Sequence, residues 1–164
     1  MTIPIRKLTD EDLWNVYSDS IKELKKRGLV RSKNITGERG EASAIAFYGN
    51  TKNLPKLQAA PVGTKNVDAI SKNGERYSIK TIVSPNKTSG VFYGMGTPDQ
   101  PIKDKKFEYL IIVLLGEDYQ PLKMIEVDWD IFYKFKKWHS RMSAFNISLS
   151  KKLLDNGKVL FARS

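Results

Sequence analysis

The chain of 164 residues contains no cysteine and a single histidine, His139. Without thiols there can be no disulfide, no thiolate nucleophile and no Cys-ligated zinc, a composition expected of the reducing cytoplasm. One imidazole excludes a His-rich metal site within a chain and makes any Ser-His-Asp triad depend on His139 alone. Long apolar runs are missing too. The longest, Tyr109 to Leu115, is far too short to span a bilayer, and Met1 to Asp10 lacks the apolar stretch of a signal peptide, so a soluble protein with no membrane partner is expected. Acidic residues are scarce beside basic ones, 18 against 28, and the resulting net charge of +10 favours a polyanionic partner, nucleic acid first. Lysines that merely solvate the surface are the alternative. With 40% apolar residues the chain can bury a core, and its length suits one domain, residues 1–164, with 1–35 as an N-terminal helical segment and 36–164 as the core.

Thr9 can cap a helix with Asp12 three residues on; Leu13, Val16, Tyr17, Ile21 and Leu24 then recur at helical spacing until Gly28 stops it, which reads as a structural helix. A second helix is predicted from about Thr36 to Gly49, with Ala42, Ile45 and Ala46 as its small-residue face, Glu41 at the border of that face and Glu38 close by. An acid in this position can simply complement the helix dipole, or it can serve a site if a partner exists. A short strand is expected near Leu57 to Ala60 and a hairpin from Val67–Ile70 and Arg76–Val83. Phe107 to Leu115 is apolar on both alternating faces, as in a central strand, whereas Thr88 to Pro101, with Phe92 and Tyr93 embedded, reads as an exposed loop. A strand over Pro121 to Val127, a helix from Asp128 to about Trp138, a short helix from Ser150 to Asp155 and a last strand, Val159 to Phe161, complete an α/β or α+β domain on a mixed sheet.

Chemistry concentrates in the hairpin. On its second strand Arg76, Ser78, Lys80 and Ile82 share one face. A two-residue Asn73-Gly74 turn would pair Asp68 with Ile79 and aim it away from Lys80. A three-residue turn, Lys72-Asn73-Gly74 with Gly74 left-handed, would instead pair Asp68 with Ser78 and Asn66 with Lys80. Only the second register gathers an acid, a hydroxyl and an ammonium, to which Glu41 could add a second carboxylate, making a hard-oxygen site suited to Mg²⁺ and phosphodiester hydrolysis. In the other register Asp68 caps a strand end and Lys80 snorkels.

Asp68 followed by Ser78-Ile79-Lys80 on the next strand resembles the motif of the PD-(D/E)xK nucleases, the superfamily that includes type II restriction endonucleases. Asn66 to Ile70, Asn73 to Lys80, the apolar strand after Phe107, the strand near Met124, the helix after Asp128 and the strand after Gly157 all lie within the similarity, about two thirds of the chain. Gly40-Glu41 also resembles a Gly-Glu helix that precedes the Asp hairpin in bacterial endonuclease-like domains. Two positions depart from the pattern: Ser78 stands where the family has its second acid, and Val67 where it has proline. The resemblance implies a restriction-endonuclease-like sheet core flanked by helices, Mg²⁺ as cofactor, Asp68 and Glu41 as metal ligands, and Ser78 and Lys80 as further catalytic groups. Glu41 fills the role that a helix glutamate has in the related Holliday-junction resolvases, with Glu38 and Glu75 as weaker candidates.

The same resemblance implies double-stranded DNA as partner and a homodimer, since cutting both strands asks for two sites related by symmetry. The segment around Lys87 to Gln100 lies where such enzymes read sequence. Asn86, Lys87, Thr88 and Ser89 are its candidate base contacts, and Lys103 and Lys105 are candidate phosphate contacts among other basic clusters such as Arg31/Lys33, Lys134/Lys136/Lys137 and Lys151/Lys152. The expectation is a Mg²⁺-dependent endodeoxyribonuclease acting as a type II restriction enzyme, with a junction-cutting repair nuclease and a catalytically inactive DNA-binding module as the alternatives.

Overall fold

The structure is a computed structural model and describes residues 2–164. Its organising element is a mixed six-stranded sheet in the order β1 (Leu57–Ala59), β2 (Ala69–Ser71), β3 (Arg76–Val83), β4 (Tyr109–Leu115), β5 (Pro121–Asp128), β8 (Lys158–Ala162), with β3 and β4 parallel and every other neighbouring pair antiparallel. Helices α1 (Asp10–Lys26), α2 (Ile35–Asn50), α3 (Trp129–Phe135) and α4 (Lys151–Asn156) and a small hairpin, β6 (Lys137–His139) with β7 (Ala144–Asn146), complete an α+β fold. No helix among the described residues is long and apolar enough to cross a membrane.

The double-sided apolar pattern of β4 is used on both faces. Leu110 and Ile112 join Phe92, Phe107, Phe132, Ile147 and Leu153 in one cluster, while Ile111 and Val113 join Ala44, Tyr48, Tyr77 and Ile79 beneath α2. Capping follows simple chemistry: Thr9, Asn34, Asp128 and Ser150 each accept a backbone N–H of the first turn of their helix, satisfying donors that have no intrahelical partner.

Three sequence expectations need correction. The buried stripe of α2 is Gly40, Ser43, Ala44 and Tyr48, whereas Ala42, Ile45 and Ala46 line a cavity of about 330 Å³ with Leu29 and Arg31. Gly40 sets this roll. A methyl at position 40 would collide with the Thr81 hydroxyl of β3 and lie 2.8 Å from its Cβ, so only glycine lets the helix sit this close to the strand. The helix after Asp128 stops at Phe135 rather than Trp138, because Lys137–His139 pairs with Ala144–Asn146 as a strand. The segment after Thr88 is no free loop: Phe92 N–H donates to the Phe145 carbonyl at 2.7 Å, and Phe92 and Met95 are buried in the core. Its glycines masked two core side chains.

Candidate functional site

The hairpin adopts the three-residue turn. Ala69 lies opposite Tyr77 and Ile70 opposite Arg76, Gly74 takes φ +85°, and its N–H donates to the Ser71 carbonyl at 3.0 Å. Of the two registers open in the sequence, this is the one that brings Asp68 toward Ser78. Beyond Asp68, whose N–H still donates to the Tyr77 carbonyl at 2.8 Å, the strands part, and the pairing of Asn66 with Lys80 does not form. Asn66 turns left-handed at φ +58° and its amide donates to the Tyr93 carbonyl at 3.1 Å, which takes the chain away from β3.

Where β2 ends, the Asp68 side chain replaces it: a carboxylate oxygen accepts the Ile79 N–H at 2.7 Å, closing the ladder with a side chain. Ser78 is 1% exposed, and its hydroxyl lies near enough to Asp68 to favour the ionised carboxylate. Burial raises the Asp68 pKa, against the opposing pull of the Ile79 N–H, the Lys80 charge and the Ser78 hydroxyl. The Ile79 N–H orients the Asp68 carboxylate.

Lys80 is held from the other side. Its Nζ donates to the Val91 carbonyl at 3.0 Å and lies 4.6 Å from the centre of the Phe92 ring. Burial lowers its pKa, and the charges of Asp68 and Glu41 oppose that shift. Neither Val91 nor Phe92 was legible as a site residue. The only hint was an aromatic pair, Phe92-Tyr93, inside an otherwise polar segment.

Glu41 arrives from the N-terminal half of α2, one residue past the glycine contact with Thr81. Its pKa rises to about 7, first through burial and next through the nearby Asp68, while Arg31 and Lys80 pull it down and Glu38 pushes it up. Arg31, absent from the sequence-based site, lies 3.9 Å from the Glu41 carboxylate and partly balances its charge. Glu38 is committed elsewhere, its carboxylate capping the Arg31 N–H, and Glu75 accepts from the Ser71 hydroxyl at 3.0 Å in the turn. A cleft of about 190 Å³ lies between these groups, with Arg31, Glu38, Glu41, Pro61, Thr64 and Asp68 in its wall.

The donor set fits a hard divalent cation sparingly. Among the described residues no three acidic or imidazole side chains gather into a ready-made cage, so the protein offers Glu41 and Asp68. Mg²⁺ is characteristically bound by one or two carboxylates, with water and substrate phosphate filling its other positions. Glu41 and Asp68 are neighbouring acids, and burial first and then the Asp68 charge raise the Glu41 carboxyl to about 7.

The candidate DNA contacts divide. Asn86, Lys87, Thr88, Lys103 and Lys105 are exposed. The Thr88 hydroxyl is already hydrogen-bonded to that of Ser148 at 2.8 Å. Ser89 is buried, its hydroxyl donating to the Gly90 carbonyl at 2.7 Å and accepting the Ile147 N–H at 3.1 Å, so it ties two segments together and cannot reach a base. Lys136, 3.8 Å from the Tyr133 ring centre, covers aromatic surface. No protein-family model matches the chain, and no curated protein matches its sequence.

Proposed function

We propose that this chain is a Mg²⁺-dependent endodeoxyribonuclease of the PD-(D/E)xK type, acting on double-stranded DNA as a homodimeric restriction enzyme in the cytoplasm. The observation that supports this most is the convergence of Glu41, Asp68 and Lys80 at the point where β2 leaves β3, with the Glu41 carboxyl pushed up to about 7. Glu41 and Asp68 are the residues that would hold the ion, and Mg²⁺ in such a site supplies polarisation of a phosphoryl oxygen and acidification of a water. The Ile79 N–H fixes the Asp68 carboxylate, and Ser78 favours its ionised form. Lys80 contributes positive charge where negative charge develops on the phosphoryl oxygens, in surroundings that weaken screening. Lys87, Lys103 and Lys105 provide phosphate contacts, which makes binding salt-dependent.

Plasmid cleavage with Mg²⁺, with EDTA, and with the Asp68→Asn and Lys80→Met variants tests this reading. Each substitution is expected to reduce cleavage by about 100-fold or more. Asparagine keeps an oxygen for the Ile79 N–H, so a loss in that variant reports chemistry rather than folding. Metal-dependent cleavage that survives both changes would defeat the assignment. The replacement of the second acid by Ser78 favours one other reading, a DNA-binding module without chemistry. Salt-sensitive binding with no cleavage under Mg²⁺ or Mn²⁺ would select it.

A further inference from the structure

Arg31 stands in the wall of the cleft beside Glu41 and Asp68, and its guanidinium is the least committed cation there. Its backbone is fixed, because Val30 before it is buried and its own N–H is capped by the Glu38 carboxylate. Its side chain is not. Among the described residues the guanidinium makes no hydrogen bond. Its one ionic contact is the 3.9 Å approach to Glu41, longer than a hydrogen bond, and 41% of the side chain is exposed.

The other polar side chains of the wall are occupied. The Ser32 hydroxyl accepts the Asn34 N–H at 3.0 Å, Asn34 accepts the Gly37 N–H at 3.1 Å, and the Thr64 hydroxyl donates to the Pro61 carbonyl at 2.7 Å. Lys80, the second cation acting on Glu41, is tied to the Val91 carbonyl. Arg31 thus keeps a planar fork of N–H donors unpaired at the cleft, the geometry that grips two phosphate oxygens at once. Charge decides when a phosphate can enter. Glu38, Glu41 and Asp68 share the wall with Arg31 as its one cation, a balance that repels an anion.

We propose that Arg31 is a phosphate-binding residue with two stations: it rests against Glu41 while the two carboxylates carry no ion, and it turns to hold a DNA phosphate once they do. The proposal rests on the reading of Glu41 and Asp68 as metal ligands and deepens it, by making phosphate binding in the cleft conditional on the ion. Removing the guanidinium then has opposite effects on the two ligands. It deletes a charge that competes with a cation at Glu41, so ion binding by the protein alone tightens. It also deletes the fork, so phosphate binding weakens, but only with the ion present. A counter-ion with no further task would leave that metal-dependent phosphate affinity alone.

Isothermal titration calorimetry tests this at about pH 8.5, above the Glu41 value of about 7, so that the carboxylate is ionised in every variant that keeps it. The probes are Mg²⁺ alone and thymidine 3′,5′-bisphosphate, which carries phosphate but no diester to cut. The unaltered chain is expected to bind the bisphosphate at least about tenfold more tightly with saturating Mg²⁺ than with EDTA. Arg31→Met should lose about tenfold of the affinity with Mg²⁺ and less than about twofold with EDTA, while binding Mg²⁺ alone at least as tightly as the original. Arg31→Lys, which keeps the charge without the fork, should recover only part of the loss. Circular dichroism checks that both variants remain folded. An equal loss with Mg²⁺ and with EDTA, no loss at all, or weaker binding of Mg²⁺ alone by Arg31→Met would each overturn the proposal. So would a bisphosphate affinity that ignores Mg²⁺ in the unaltered chain. If the unaltered chain binds no Mg²⁺, the metal reading fails as well; if it binds Mg²⁺ and Arg31→Met changes nothing, the role of Arg31 fails alone.

Discussion

Replacing Glu41 with glutamine is expected to make the metal-free protein more stable while removing its ability to hold an ion. The carboxyl sits at about 7 in the folded protein against an ordinary 4.5, because burial and Asp68 favour its neutral form. Below 4.5 both folded and unfolded chains carry the proton and the group costs nothing. From 4.5 upward the unfolded chain releases the proton while the folded protein keeps it, so stability falls as pH rises, until the full cost is present above 7. That gap corresponds to on the order of 3 kcal/mol. Glutamine has nearly the same shape and never ionises. Urea unfolding followed by circular dichroism should therefore give equal stabilities at about pH 4 and a variant more stable by on the order of 3 kcal/mol at about pH 8. Adding Mg²⁺ at the higher pH should stabilise the original protein and leave the variant unchanged. A variant no more stable than the original at the higher pH would refute the reasoning. It would mean that the Arg31 ion pair at 3.9 Å outweighs the burial of the carboxylate.

Gly40→Ala should destabilise the fold by about 1–3 kcal/mol in chemical denaturation, since the added methyl meets Thr81, and should also weaken cleavage by displacing Glu41. Ser89→Ala should lower stability by about 1–2 kcal/mol and leave DNA affinity intact, because it orphans the Ile147 N–H, whereas Lys87→Ala should do the reverse; thermal melts and salt-dependent DNA titrations separate the two. Arg76 donates to Glu108 at 2.7 Å and holds its carboxyl down at about 2, so this pair stabilises the protein above pH 4.5 and loses that contribution as the pH falls toward 2. Both side chains are partly exposed, which reduces the effect to about 1 kcal/mol, and Glu108→Gln should flatten the acid limb of a stability–pH curve by that amount.

The sheet was largely legible because its signals are local. β4 is apolar on both faces, Asp128 and Ser150 are caps placed before short helical stretches, and Asn73-Gly74 marks a turn. The hairpin register was narrowed to two choices but not decided, because the hydrophobic pattern of Tyr77 to Val83 suits either turn length; the left-handed Gly74 and the Ser71–Glu75 contacts decide it. Glu41 could be named in advance because its place on the helix follows from spacing. Arg31, Val91 and Phe92 could not, since their roles arise from loops that fold back over the sheet, and loop paths leave no periodicity. The burial of Ser89 escaped notice for the same reason: serine in a glycine-rich stretch reads as solvent-facing until its partner, Ile147, is known. On α1 the periodicity was read correctly as a helix, but a stripe of apolar residues cannot say whether it faces its own core or another chain.

Under the proposed function Asp68 would serve two masters. One of its oxygens completes the hydrogen bonding of β3 at Ile79, so the position is constrained by the sheet whether or not any reaction takes place. Drift that erased catalysis would still select aspartate or asparagine there, and an intact Asp68 in a related chain would say little about activity. Glu41 has no such second duty. It bonds no backbone group and costs stability while it is ionised, so apart from its 3.9 Å ion pair with Arg31 the fold gives no reason to retain it. Among sequences that share this hairpin, the helix glutamate is the position at which working and silent copies should part.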